Sequence, residues 1–289
     1  MHSRSEEPPG DQDMISGMNR LGIENISVFG LPPVEFVNLA ADLGCRYIST
    51  GLMPIEYNPQ GYPRFSLRED KALRRGMVAA MRDRGVSISL GEGFTIRPGL
   101  DVCEQRAADL EVMCELGVKR INTVSMDPDV ARTFDQFAAL VEMAAAAGME
   151  VTTELAPGLT VADLPTALAA VRHVGRPDFR LLIDTMHLVR SGSGAIDLAA
   201  IDPHLIGYIQ VADAPLAPRY STYFEEAMFE RMAPGTGELP LLDVLRALPR
   251  DLPVGIEVPL RSQAQAGLGP RERLGPVVEN ARRLLAQLD

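Results

Sequence analysis

The 289-residue sequence predicts a single α/β domain, a closed parallel barrel of eight strands each followed by a helix, and three observations predict it. Short apolar runs of strand length recur eight times, and helix-period segments stand between them. The strand starts run from Leu21 to Val254 in seven steps, close to the roughly 30 residues of a strand–helix–strand unit. An open doubly wound sheet rarely needs eight consecutive units, so the alternation points to closure.

Residues 1 to about 18, among them Ser3, Glu6, Glu7, Pro8, Pro9, Gly10 and Asp11, hold too little apolar surface to order themselves and are expected to form a disordered tail before a barrel spanning 19–289. Strand-like runs then begin near Leu21 (LGIENIS), Arg46 (RYIST), Val86 (VSISL), Lys119 (KRINTV), Glu150 (EVTTEL), Arg180 (RLLIDT), Ile206 (IGYIQV) and Val254 (VGIEV). Pro32 and Pro33 suit a first helical turn, and Gly44, Gly85, Gly117 and Gly148 each stop an amphipathic stretch just before the next strand. The step from the seventh strand to the eighth is long because Ala214 to Ala233 inserts before a helix at Leu241–Leu248. This loop carries Arg219, Tyr220, Tyr223, Phe224 and Phe229, and reads either as a lid on the catalytic face or as a surface or oligomer contact.

Charge and composition exclude several classes. With 28 Lys and Arg against 39 Asp and Glu, the net charge of -11 repels a polyanion, so nucleic acid is not an expected partner. No apolar run approaches the roughly 18 residues of a membrane span, and Met1 to Asp13 lacks the apolar core of a signal peptide, so a cytoplasmic protein without membrane partners is expected. Cys45, Cys103 and Cys114 show no Cys-x-x-Cys spacing and are expected as reduced, buried thiols, with Cys103 and Cys114 facing the barrel together. His173 and His204 fit the surface. Ser191 to Gly194 lacks the lysine of a phosphate loop and reads as a flexible loop.

In a barrel, chemistry gathers at the carboxyl ends of the strands. Four consecutive ends carry groups that an apolar core would not choose: Glu154, Asp184, Gln210 and Glu257. A lone buried carboxylate costs several kcal/mol, so three that converge need a cation. An all-oxygen donor set suits Mn2+ or Mg2+, with Co2+ able to substitute. The structural alternative pairs Glu154 and Glu257 with arginines and uses Asp184 to cap the following loop. His187, three residues beyond Asp184, is placed to reach a bound ligand, and Glu92 after the third strand and Asn122 after the fourth are further candidates for binding a polar ligand.

These residues resemble the xylose isomerase-like TIM barrels, which include sugar isomerases, D-tagatose 3-epimerase, hydroxypyruvate isomerase, inosose dehydratase and AP endonuclease. The resemblance covers about 19–289 and rests on Glu154, on LLIDTMH with Asp184 and His187, on IGYIQVADAP, and on IEVP with Glu257. It implies a (β/α)8 TIM barrel whose metal ligands are Glu154, Asp184, Gln210 and Glu257. Gln210 stands where His is frequent, and with Pro234 to Glu238 looks most like hydroxypyruvate isomerases, although the insertion displaces the expected arginine to Arg219. The AP endonuclease branch builds its zinc site with histidines that this chain lacks.

The leading expectation is a metal-dependent sugar or keto-polyol isomerase or epimerase working through a metal-bound enediolate. Glu154 and Glu257 exchange the proton, His187 bonds the developing oxyanion and Arg219 reaches a distal group. A dehydratase of a cyclic keto-polyol or dehydroshikimate-like acid is the alternative, and a metal-free binding barrel the third reading. The expected partners are a small carbohydrate or keto acid and further copies of the chain in a dimer or tetramer.

Overall fold

The alternation closes on itself in the computed structural model of the protein, which describes residues 20–288. The expected tail lies outside the described residues. Strands β1 (Leu21–Ile23), β2 (Tyr47–Thr50), β3 (Ser87–Ile96), β4 (Arg120–Ser125), β5 (Glu150–Glu154), β6 (Phe179–Asp184), β7 (Ile206–Val211) and β8 (Val254–Ile256) pair in parallel in sequence order, and β8 closes on β1 through Gly22 opposite Gly255. Helices α1 (Pro33–Asp42), α2 (Lys71–Arg84), α3 (Val102–Glu115), α4 (Val130–Ala146) and α5 (Leu164–Val174) fill the first five connections. Two short helices, α6 (Thr185–Arg190) and α7 (Ala195–Ala199), join β6 to β7; α8 (Tyr223–Phe229) and α9 (Leu241–Arg246) join β7 to β8; α10 (Arg261–Gln265) and α11 (Pro270–Leu285) come last.

Local signals set the helix boundaries. The carboxylates of Asp70, Asp101, Asp129 and Asp163 accept first-turn backbone N–H groups of α2, α3, α4 and α5, which have no partner within their own helices. Pro33 opens α1, and Gly44, Gly85, Gly117 and Gly148 come after their helices with φ between +66° and +79°.

Strand alternation then divides the apolar residues. Leu21, Ile23, Leu181, Ile183, Ile209, Val254 and Ile256 point outward into the main core beneath the helices. Leu90, Leu182 and Tyr208 form a separate small cluster inside the barrel. Counting two residues on from the inward Leu182 and Tyr208 reaches Asp184 and Gln210, which the same alternation turns inward at the carboxyl end. At the opposite end Glu150 pairs with Arg120 at 3.0 Å and with Arg180, and the Arg120 guanidinium lies over the Tyr208 ring at 5.9 Å, closing the floor.

Three expectations are corrected. Glu92 and Asn122 do not come after their strands but lie within β3 and β4, Glu92 where the pairing register shifts between Gly91 and Phe94. The cysteines are not all buried: Cys45 is, Cys103 is half-buried and Cys114 is exposed. Cys103 and Cys114 share a face of α3, but it is the face toward the neighbouring helix, where their thiols reach the carbonyls of Ala139 and Ala147 at 3.9 and 3.3 Å. Among the described residues no helix is long and apolar enough to cross a membrane.

Candidate active site

Glu154 and Asp184 are the last residues of β5 and β6, Gln210 is the penultimate residue of β7, and Glu257 comes directly after β8. Gln210 pairs with Asp184 on one side and with Gly255 on the other, so register alone sets these inward side chains in a row. One ligand atom from each of Glu154, Asp184, His187 and Glu257 lies within 4.8 Å of all the others. Glu154, His187 and Glu257 stand at the base of a cavity of about 470 Å³, lined also by Asn25, Glu92 and Asn122, and Asp184 is buried beside them.

Each group is held by something the fold supplies. Asp184 caps α6 by accepting the His187 backbone N–H at 2.8 Å, and that turn brings the His187 ring back over the strand ends. Asn122 Nδ2 donates to Glu154 Oε2 at 2.9 Å while its own Oδ1 accepts from Thr152 at 3.2 Å. His187 Nε2 lies 3.3 Å from Glu154 Oε1, and its Nδ1 meets the Tyr223 hydroxyl of α8, so the imidazole is oriented from both sides. Gln210 Nε2 donates to Glu257 Oε1 at 3.3 Å.

The arginine at the site is Arg231. Arg219, expected there, instead lies 3.6 Å from Glu226 and is absent from the cavity wall. Met232 pairs with Asp213 beyond β7, Glu230 pairs with Leu260 beyond β8, and Arg231 N–H donates to Pro259, so two strand-like bridges clamp Arg231 between the last two strand ends. Its guanidinium then reaches Asp184 Oδ2 at 2.6 Å and Glu257 Oε2 at 2.7 Å. The structural alternative read from sequence is therefore present in part: Asp184 caps a helix, and Asp184 and Glu257 share an arginine. The arginine expected early in the loop stands instead just before Pro234 to Glu238, the segment that Asp213 gathers. Asp213 accepts the backbone N–H groups of Gly235, Gly237 and Leu239 at 3.0, 2.9 and 3.1 Å.

Glu24, the residue after β1, is a second group the sequence reading passed over. The run LGIE carries the same signal as the other ends, an apolar strand broken by a carboxylate. Glu24 is fully buried and accepts from Tyr208 at 2.9 Å, with Ser89 at 2.8 Å on the same hydroxyl.

Acid is in excess here. Burial pushes Glu24 up to about 7 against its bonds to Ser49, Tyr208 and Gln210. Burial, with the neighbouring Glu24 and Glu154, holds Glu92 well above the usual carboxylate range. Burial also raises Glu257 despite Arg231, while at Asp184 the pull of Arg231 and His187 outweighs burial and keeps its pKa low. Arg231 thus holds its charge between two carboxyls that burial and its own pull move in opposite directions, Asp184 down and Glu257 up.

One guanidinium among five carboxyls leaves room for a further cation, and the donors fit one. Gln210 Oε1 is buried with no hydrogen-bond partner, and with Glu154, Asp184 and Glu257 it completes a set of oxygens suited to a hard divalent ion. His187 adds a nitrogen within the same cluster, which suits softer ions as well.

The inserted segment covers this base. Thr222 caps α8, Glu226 is buried against Arg190 at 3.2 Å, and Phe224, Ala227 and Met228, on one helical face, line the cavity.

Comparison with solved structures returns the same fold at low identity. The IOLI protein, whose crystal structure contains a zinc atom, is 17% identical with a TM-score of 0.73 over 93% of this chain and 97% of that one. A D-psicose 3-epimerase from Clostridium cellulolyticum H10, solved with D-tagatose, is 14% identical with a TM-score of 0.67 over 92% and 99%. A fusion of a xylose isomerase-like TIM barrel with 4-hydroxyphenylpyruvate dioxygenase is 22% identical with a TM-score of 0.69 over 93% of this chain and 44% of that one. Sequence comparison with curated proteins gives no match. The model of the xylose isomerase-like TIM barrel family matches residues 37–285, nearly the whole of the barrel just described, and the chain belongs to that family.

Proposed function

We propose that the protein is a divalent-metal-dependent isomerase or epimerase of sugars or keto-polyols, with Glu154 and Glu257 moving the proton. The observation that carries this reading is the placing of two carboxyls, from β5 and β8, at one cavity base together with His187 and Arg231. Similarity to a D-psicose 3-epimerase supports it. Glu154, Asp184, Gln210 and Glu257 would hold the ion, which polarises a carbonyl and acidifies the carbon beside it.

The chain's own residues do the rest. Asn122 holds Glu154 Oε2, and the other oxygen, Oε1, which faces His187 Nε2, takes a carbon-bound proton. Glu257, three strands further round the barrel, faces the cavity from another side and returns a proton there. His187, fixed by Tyr223, and Arg231, fixed by its two carboxyl partners, are placed to bond substrate oxygens as negative charge moves onto them. The α8 face above them limits the access of water to the reacting carbon.

Deuterium uptake from heavy water over a panel of ketoses and keto-polyols, with and without Mn2+, tests the proposal. A Glu154→Gln variant is expected to keep its circular dichroism spectrum and lose exchange by about 10²–10⁴-fold. Wild-type exchange in that variant would remove Glu154 from the role, and ultraviolet absorbance growing in place of exchange would indicate dehydration.

A further inference from the structure

The cavity changes character between its base and its mouth. Its base is built from the strands and their carboxyl ends and carries Glu92, Asn122, Glu154 and Glu257. Its mouth is built from the loops beyond those ends: Met53 and Ile55 come after β2, Met126 after β4, Leu159 after β5, and Phe224 and Met228 belong to α8. Four of these are among the few large apolar side chains left exposed on the described protein, Met53 at 40%, Met126 at 51%, Phe224 at 39% and Met228 at 39%. Large exposed apolar side chains on one rim mark a binding surface. The charged residues in this wall, Arg68 and Asp109, satisfy each other through two bonds of 2.6 and 2.8 Å.

An unsubstituted polyol reaching into such a mouth would leave its outer hydroxyls without partners. An alkyl or aryl group would instead meet thioether, aliphatic and aromatic carbon, and three methionines can adapt to its shape. The apolar wall is continuous with the polar base, so one molecule spans both. Resting on the proposed proton-transfer reading of that base, we infer that the substrate is a keto-polyol or other α-hydroxy carbonyl compound carrying a sizeable apolar substituent: its oxygens lie on the strand ends and its hydrocarbon part lies under α8 against Met53, Met126 and Met228.

The test uses 1-hydroxy-2-alkanones from hydroxyacetone to 1-hydroxy-2-octanone, with D-fructose as the polyol control. Binding to the full chain is read by isothermal titration calorimetry, and deuterium exchange at C1 is read in parallel. Affinity is expected to rise about threefold per added methylene, with D-fructose no tighter than hydroxyacetone. The double variant Met126→Gln/Met228→Gln changes two exposed side chains and is expected to flatten the series. A flat series in the wild-type protein overturns the inference, as does D-fructose binding more tightly than 1-hydroxy-2-octanone. If the double variant instead lowers the mass of a wild-type oligomer and the series is flat, the rim is a contact between copies. A rising series without C1 exchange keeps this inference and fails the proton-transfer reading; exchange with a flat series does the reverse.

Discussion

Glu24 shows how much a single residue can store. It enters the barrel from the end of β1 only because the facing position on β8 is glycine: a Cβ on Gly255 would stand 1.6 Å from Glu24 Oε1. Its pKa is raised by burial from 4.5 to about 7, so between those values the folded state holds more protons than the unfolded one. The contribution of Glu24 to stability is therefore greatest below about pH 4.5 and falls as pH rises through 7, by about 3 kcal/mol in full. Glu24→Gln keeps an oxygen for the Tyr208 hydroxyl and is expected to remove that part of the slope, leaving what Glu92 and Glu257 contribute. Urea unfolding in EDTA at pH 5 and pH 7.5 measures it; an unchanged slope would clear Glu24 as its source. Glu24 was legible in LGIE by the rule that found Glu154 and Glu257. Arg231 was not, because nothing in a twenty-residue insertion says which of its arginines the chain will turn inward.

That choice is made by elements, and chiefly by the return of the chain after α8. Asp213, two residues beyond β7, ties down Ala214, Gly235, Gly237 and Leu239 through its carboxylate. The space is so close that a Cβ on Gly237 would come within 2.3 Å of Asp213 Oδ1. The loop must return to its start, and in returning it places Arg231 at the site. Asp213→Ala leaves several backbone N–H groups unpaired and is expected to cost about 3 kcal/mol in denaturant unfolding. The KM for any responding substrate should rise with it, since Arg231 loses its anchor. A variant with wild-type stability would show that the loop holds itself. Helix α8 was legible only as an aromatic-rich insertion open to two readings. What the closed barrel adds is that Phe224, Ala227 and Met228 of this helix line the cavity.

Across the whole molecule, carboxyls from strands far apart in sequence compete for one guanidinium. A divalent ion bound by the folded chain alone adds stability by mass action, about 2.7 kcal/mol at a hundred times its dissociation constant. Mn2+ is therefore expected to raise the melting temperature of EDTA-treated protein by a few degrees, and no rise at saturating Mn2+ would remove the ion from the site. The strand and helix order, barrel closure and row of polar strand ends were all in the sequence by itself, because period-two alternation, helix caps and βα spacing act over a few residues at a time. The cavity-facing arginine, the burial of Glu24, the exposure of Cys114 and the apolar mouth were decided only by the tertiary structure. Each depends on which groups, dozens to hundreds of residues apart, closure brings within a few ångströms, and no local pattern encodes that distance.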